Sequence, residues 1–213
     1  MDETPVDLNS LVPYAPSVED LGGNRCVAFT ARRSRSAEVV YLNERWFLGH
    51  GLDIRLQAPR RHVEAWMLAN FGVSVPHHRD PADEYLDEEV LLWADRYGGT
   101  GGGFRGGSGR CGLRGRFNAK GIGRTPLVSD TDDWYHAHGC MWLEEALREA
   151  IGTEAVHRDL GVPLQPIVAI IDLGIPIYWP DGTTGERRAV VVRVNVPRLA
   201  YLQRSVFFGT SGF

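Results

Sequence analysis

At 213 residues the chain is long enough for one full hydrophobic core or two small ones. Its 43% hydrophobic and 23% charged residues are ordinary for a soluble globular protein, and a net charge of −4 advertises neither nucleic acid nor an anionic membrane as partner. Cys26, Cys111 and Cys140 are odd in number and lack CxxC spacing, which argues against a disulfide scaffold or a zinc site and fits a reducing compartment. The opening MDETPVDLNS is acidic and polar, with no signal peptide, and no apolar run approaches the roughly 18 residues of a membrane span. The expected location is therefore cytoplasmic.

Taken in chain order, residues 1–36 read as loosely structured, with Pro5, Pro13, Pro16, Gly22 and Gly23 ahead of a basic ARRSRS run. Residues 37–97 read as a mostly helical extension. Within it Ala37 to Tyr41 is a short strand, and Asn43 to Asp53 a helical turn closed by Gly51. A helix follows over Arg60 to Phe71, where Val63, Trp66, Met67 and Leu68 recur at helical spacing, and another over Tyr85 to Tyr97. Residues 98–213 then form a separate unit, opening on GGTGGGFRGGSGRCGLRGRFNAKG from Gly98 to Gly121. Glycines let backbone N–H groups approach an anion unobstructed, and a lysine on the following strand supplies a point charge for phosphate oxygens.

Gly112 to Lys120 is a strand or hairpin arm, and an acidic loop carries Asp130, Asp132 and Asp133. The best helix spans Met141 to Leu160, with Leu143, Leu147, Ile151 and Ala155 as its apolar stripe, and Gly161 then Pro163 end it. Two strands follow, Ile167 to Asp172 and Ala189 to Val194, with a possible short third at Ile177 to Trp179. The order of glycine loop, strand, lysine, long helix and paired strands is the layout of a protein-kinase small lobe. The expected fold is thus α+β: a twisted antiparallel sheet with one long helix, preceded by the helical extension.

In such a lobe a glutamate on the long helix holds the phosphate-contacting lysine. Glu149 borders the apolar face through Trp142 and Ala146, so it is the candidate partner of Lys120; a solvated charge face with Glu145 and Arg148 is the competing reading. His136 and His138 have metal-ligand spacing, as do His77 and His78 less convincingly, but no third ligand is specified. Cys111 lies among arginines that lower a thiol pKa, without any partner expected of a nucleophile. Asp172-Leu173-Gly174 imitates a magnesium motif yet precedes Arg193 with no catalytic loop before it, and reads as a turn aspartate. Arg105-Gly106-Gly107 and Arg114-Gly115-Arg116 resemble RNA-binding arginine–glycine boxes, though such boxes are usually long and repetitive.

Several motifs together resemble the selenoprotein O family of kinase-like protein adenylyltransferases. Gly107-Ser108-Gly109-Arg110 is similar to its Gly-Asp-Gly-Arg loop, with Ser108 in place of aspartate. Ala119-Lys120-Gly121-Ile122-Gly123-Arg124-Thr125-Pro126 resembles its lysine signature. Arg148-Glu149, Thr153-Glu154-Ala155 and Leu160-Gly161-Val162-Pro163 match its glutamate helix, and Ala189 to Val194 its arginine strand. Asn43 to Asp53 fits its opening segment. The likeness spans roughly residues 37–205, with an insertion around Asp130 to His138 and departures at Gly139-Cys140 and Glu144.

The resemblance implies that Lys120 contacts ATP phosphates, that Glu149 orients Lys120, that Gly107, Ser108, Gly109, Arg110 and Gly121 surround the nucleotide, and that Arg193 adds positive charge, with Arg198 or Arg204 as a second arginine. It implies transfer of AMP from ATP to a protein or peptide hydroxyl, or transfer of phosphate as in a kinase, with Mg2+ held by a second lobe supplied elsewhere. Val206, Phe207, Phe208 and Phe213 are then candidate contacts to that partner. A non-catalytic lobe that recognises a peptide or protein is the remaining alternative.

Overall fold

The computed structural model describes residues 6–22, 25–96, 107–128, 134–161, 164–198 and 201. The first short helix, α1 (Val18–Leu21), begins at a reciprocal cap: the Ser17 hydroxyl accepts from the Asp20 N–H while the Asp20 carboxylate accepts from the Ser17 N–H. The next segment is a strand, β1 (Cys26–Ser34), although the glycines and prolines around it suggest loose structure. After β2 (Glu38–Leu42), the Asn43 side chain caps α2 (Glu44–Gly49) by accepting from the Trp46 N–H at 3.0 Å. The fifteen-residue α3 (Gln57–Phe71) buries Val63, Met67 and Phe71 along one stripe, as its periodicity predicts.

The short β3 (Val73–Ser74) leads to β4 (Tyr85–Asp95), where the expected helix is instead an eleven-residue strand. Val90, Leu92 and Ala94 are buried at a spacing of two while Leu91 faces solvent. The acidic run is matched across the strands, Asp87 to Arg32 at 3.1 Å and Glu88 to Arg33 at 2.7 Å. Residues 37–97 are therefore not a mostly helical extension.

A tight hairpin joins β5 (Cys111–Arg114) to β6 (Phe117–Lys120). One turn of helix, α4 (Trp134–Ala137), precedes α5 (Leu143–Leu160), whose last turn is capped by the Gly161 N–H donating to the His157 carbonyl at 3.1 Å. The final strands, β7 (Ile167–Tyr178) and β8 (Thr184–Val194), are one long hairpin, so the expected short third strand is the continuation of β7. The continuity is interrupted by a bulge after Asp172, where Gly174 takes φ +68°.

All strands join a single antiparallel sheet of eight, in the order β2-β7-β8-β6-β5-β4-β1-β3. The fold is α+β, and the sheet is larger than the sequence suggests because strands from residues 1–36, 37–97 and 98–213 all pair within it. One face packs on α2 and α3, with Phe47, Met67 and Phe71 against Leu92, Phe117, Val168 and Val192. The other packs on α5, with Ala146 and Ala150 against Ile170, Ala189 and Val191. Burial from both sides explains why β7 and β8 are nearly continuous apolar runs.

The buried stripe of α5 lies one position away from the expected one. Ala146 and Ala150 face the sheet, while Leu147 and Ile151 are 41% and 70% exposed. One residue is about 100° of helix rotation, enough to exchange a buried row for an exposed one. Among the described residues no helix is long and apolar enough to cross a membrane.

Candidate functional site

The alternation of β6 builds the site. Phe117 and Ala119 enter the core beneath α3, which places Asn118 and Lys120 on the opposite face, under α5. The register brings β8 alongside, Asn118 opposite Arg193 and Lys120 opposite Val191, and sets Cys111 of β5 across from Lys120. On α5, Glu145 and Glu149 are one turn apart on the edge that Ala146 and Ala150 bring close to the sheet. Alanines hold the helix near enough for both carboxylates to reach cations on the strands.

Those contacts form a connected set. Glu149 pairs through one oxygen with the Lys120 ammonium and through the other with Arg193, 3.3 Å from Nη1. Arg193 donates from Nη2 to Asn118 Oδ1 at 2.9 Å. One turn back along α5, Glu145 receives Arg110 at 3.2 Å. Three cations face two carboxylates, leaving one net positive charge in the cleft. Lys120 and Glu149 keep 22% and 23% of their side chains accessible, so the pair is shielded without being sealed. Asn118 Nδ2, Arg110 Nε and Arg193 Nε are buried and have no hydrogen-bond partner among the described residues. Unused donors around a net positive charge are suited to an anion.

Of the residues implicated by sequence, the structure gathers Lys120, Glu149, Arg193 and Arg110. Gly107, Ser108 and Gly109 belong to a different arrangement. Ser108 is buried; its N–H donates to the Asp95 carbonyl at 2.9 Å and its hydroxyl to the Asp95 carboxylate. The Ser108 carbonyl accepts from the Thr125 hydroxyl, and the Gly109 carbonyl accepts from the Thr125 N–H at 3.1 Å. Tyr201 donates to the same Asp95 carboxylate at 2.6 Å. These three residues thus tie β4 to the turn at 125–128, and the Ser108 N–H is spent internally.

Gly121 is a turn residue: at φ +97° its N–H donates to the Arg110 carbonyl at 2.8 Å, and an added Cβ would lie 2.5 Å from Met141 Cβ and 2.6 Å from the Ala189 carbonyl. It directs the chain off β6 immediately after Lys120. Asn118 is the residue that sequence reasoning missed. Its position two residues before Lys120 in a strand was the available signal, since period two puts both on one face.

The remaining candidates resolve separately. Burial pushes the Cys111 thiol pKa up, outweighing the nearby arginines that sequence suggests would lower it, so Cys111 is not an activated nucleophile. Asp172 lies within β7, not in a turn: it is buried, accepts from the Gly174 N–H at 2.8 Å and pairs with Arg187 at 2.9 Å. His138 Nδ1 accepts from the Cys140 N–H at 3.0 Å, and the side chain of His136 lies outside the described residues. Among the described residues no group of three His, Cys, Asp or Glu side chains is placed to hold a metal ion. The glycine run at 98–106, Asp130, Asp132, Asp133, Arg204 and the aromatic end at Phe207, Phe208 and Phe213 also lie outside them.

A second polar cluster supports the turn beside the site. Asp80 and Arg188 form a buried ion pair, 2.9 Å from Oδ2 to Nη1, and Tyr85 donates to the same oxygen at 2.6 Å. His77 accepts from the Trp134 indole N–H at 3.2 Å, and burial, with His78 beside it, holds the His77 pKa down from its ordinary 6.5 to about 4. Comparison of the chain with protein-family models and with curated proteins returned no match.

Proposed function

We propose that the chain is the nucleotide-binding half of a kinase-like transferase, with Lys120 and Arg193 holding ATP phosphates and Glu149 orienting both. The observation that carries this reading is the ion pair between Lys120 on β6 and Glu149 on α5. Its setting adds support: β4, the glycine segment, β5, β6, α5 and the β7–β8 hairpin follow the order of a kinase-type small lobe, and Lys120 falls on the third strand of that run. The sequence resemblance to selenoprotein O points to AMP transfer. In that reaction a protein or peptide hydroxyl attacks the α-phosphorus, a new O–P bond forms, the bond to the pyrophosphate oxygen breaks and the hydroxyl proton departs. The metal-binding residues belong to a second lobe, and this chain contributes nucleotide binding and charge.

A non-catalytic reading also has a specific observation behind it. The Ser108 N–H and the Gly109 carbonyl already bond within the protein, and Lys120 and Arg193 already share Glu149. Two measurements separate the readings. Binding of a fluorescent ATP analogue to the full chain is expected to weaken at least about tenfold, roughly 1.4 kcal/mol, in Lys120→Ala and in Arg193→Ala. With a candidate second-lobe protein present, label from the α-phosphate of ATP is expected on a protein acceptor and is lost in Lys120→Ala. Transfer by the chain alone would overturn the half-site reading. Unchanged transfer in the lysine variant would overturn the role of Lys120, and label arriving only from the γ-phosphate would make the reaction a kinase reaction.

A further inference from the structure

A second cleft, of about 560 Å³ and not lined by Lys120, Glu149 or Arg193, opens between α2 and the C-terminal half of α5. That volume lies within the range of small-molecule sites. Most of its lining is apolar, with Trp46, Leu164 and Val196 among the contributors.

One wall is fixed in place. The His50 ring stacks on Trp46 with centroids 4.2 Å apart. Its Nδ1 is 2.8 Å from the Trp46 carbonyl, an acceptor only, so Nδ1 carries the proton. Nε2 is then left to accept from the Tyr14 hydroxyl at 3.3 Å. Aromatic rings held this way lose little freedom when a ligand arrives.

Two opposite charges line this space, beside the polar Asn43, Thr153, His157 and Gln165. Glu154 is half-buried, and its hydrogen-bond donor is the neutral Asn43 amide at 2.7 Å. Arg45, on α2, also lines the cleft. Neither forms an ion pair with another described residue. A half-buried carboxylate without an ion-pair partner is costly, and a cation from a ligand offsets that cost. Arg45 is solvent-exposed, so it stands at the mouth of the cleft, where a ligand's anionic group can meet it while a cationic group reaches Glu154. A zwitterion with an apolar body matches both.

We propose that this cleft binds a free α-amino acid with a large apolar side chain, its ammonium on Glu154, its carboxylate on Arg45 and its side chain against Trp46, Leu164 and Val196. The inference does not depend on the nucleotide reading, and its test contains no ATP.

Isothermal titration of the full chain with L-phenylalanine, L-leucine and L-tryptophan is the experiment. Phenethylamine and 3-phenylpropionate, each lacking one of the two charges, are the comparison ligands. At least one amino acid is expected to bind, and each one-charge analogue to bind at least about tenfold more weakly than phenylalanine. Glu154→Gln keeps an oxygen for Asn43, so its fold is expected to persist, with circular dichroism as the check. It should weaken phenylalanine about tenfold and leave 3-phenylpropionate unchanged, while Arg45→Gln should weaken phenylalanine and leave phenethylamine unchanged. Absence of heat with all three amino acids, equal binding of the one-charge analogues, or phenylalanine affinity unaltered in both variants would each overturn the proposal.

Discussion

Glu149 divides its two oxygens between two cations from neighbouring strands, so one carboxylate sets the positions of Lys120 and Arg193 together. Asn118 braces the far side of Arg193 without adding charge, which preserves the net positive character of the cleft. A different residue controls behaviour toward acid. Held down to a pKa of about 4, His77 stays neutral in the folded protein through a range where the unfolded chain protonates at about 6.5. The unfolded state therefore binds more protons between these values, so the contribution is complete above about pH 6.5 and is lost as pH falls toward 4. His78, Arg79 and Arg188 oppose a charge on His77 and Asp80 favours it. Thermal midpoints measured across that window are expected to fall on acidification, and to fall less steeply in His77→Gln. Equal slopes would remove His77 as the cause. Asp80 does not confuse the result, because its pKa is itself lowered below 3.8 and its effect falls at more acid pH.

At the scale of elements, α5 meets the sheet through two alanines, and that closeness is what lets Glu145 and Glu149 reach Arg110 and Lys120. Ala146→Leu places three extra carbons where Met141, Ile170 and Val191 already fill the space. A loss of about 1–3 kcal/mol in urea denaturation is expected, together, on the proposed nucleotide reading, with weaker binding of the fluorescent ATP analogue as Glu149 is displaced. Unchanged stability would mean the helix repacks freely. The same helix shows what sequence reveals and what it withholds. Lys120 is legible from the glycine run that precedes it, and Glu149 from its place at the border of the helix's apolar face. Leu147 and Ile151 carry more hydrophobicity than the alanines and so point to the wrong face, because close approach, not side-chain size, decides which row is buried. Asn118 is neutral and beside a conspicuous lysine, and only its place two residues before Lys120 on one strand marks it. In β4 a helix is expected and a strand is found, and the partners of Asp87 and Glu88, Arg32 and Arg33, lie more than fifty positions away in the chain. Pairing over that distance is not written in any local window.

For the whole molecule, eight strands in one sheet mean that the candidate cleft rests on residues from nearly the full length of the described chain. The sheet ends on the two-residue β3 at one edge, too short to invite pairing with another chain, and on the five-residue β2 at the other. Within this framework the Asp95 clasp has a consequence for chain length. Because the Ser108 N–H is bonded to the Asp95 carbonyl, and the Arg96 N–H to the Arg25 carbonyl at 2.6 Å, the two ends of the glycine segment are fastened independently of whatever lies between them. The cost of closing such a loop grows only logarithmically, about 0.6 kcal/mol per doubling of its length. Deleting Gly101 to Gly103 is therefore expected to change the urea midpoint by the equivalent of less than about 0.6 kcal/mol. A loss of several kcal/mol would show that the segment is tied down beyond its stem. The clasp thus holds Asp95 and Ser108 together at the stem, so the register of the sheet beneath Lys120 and Glu149 is set by bonds outside the glycine run.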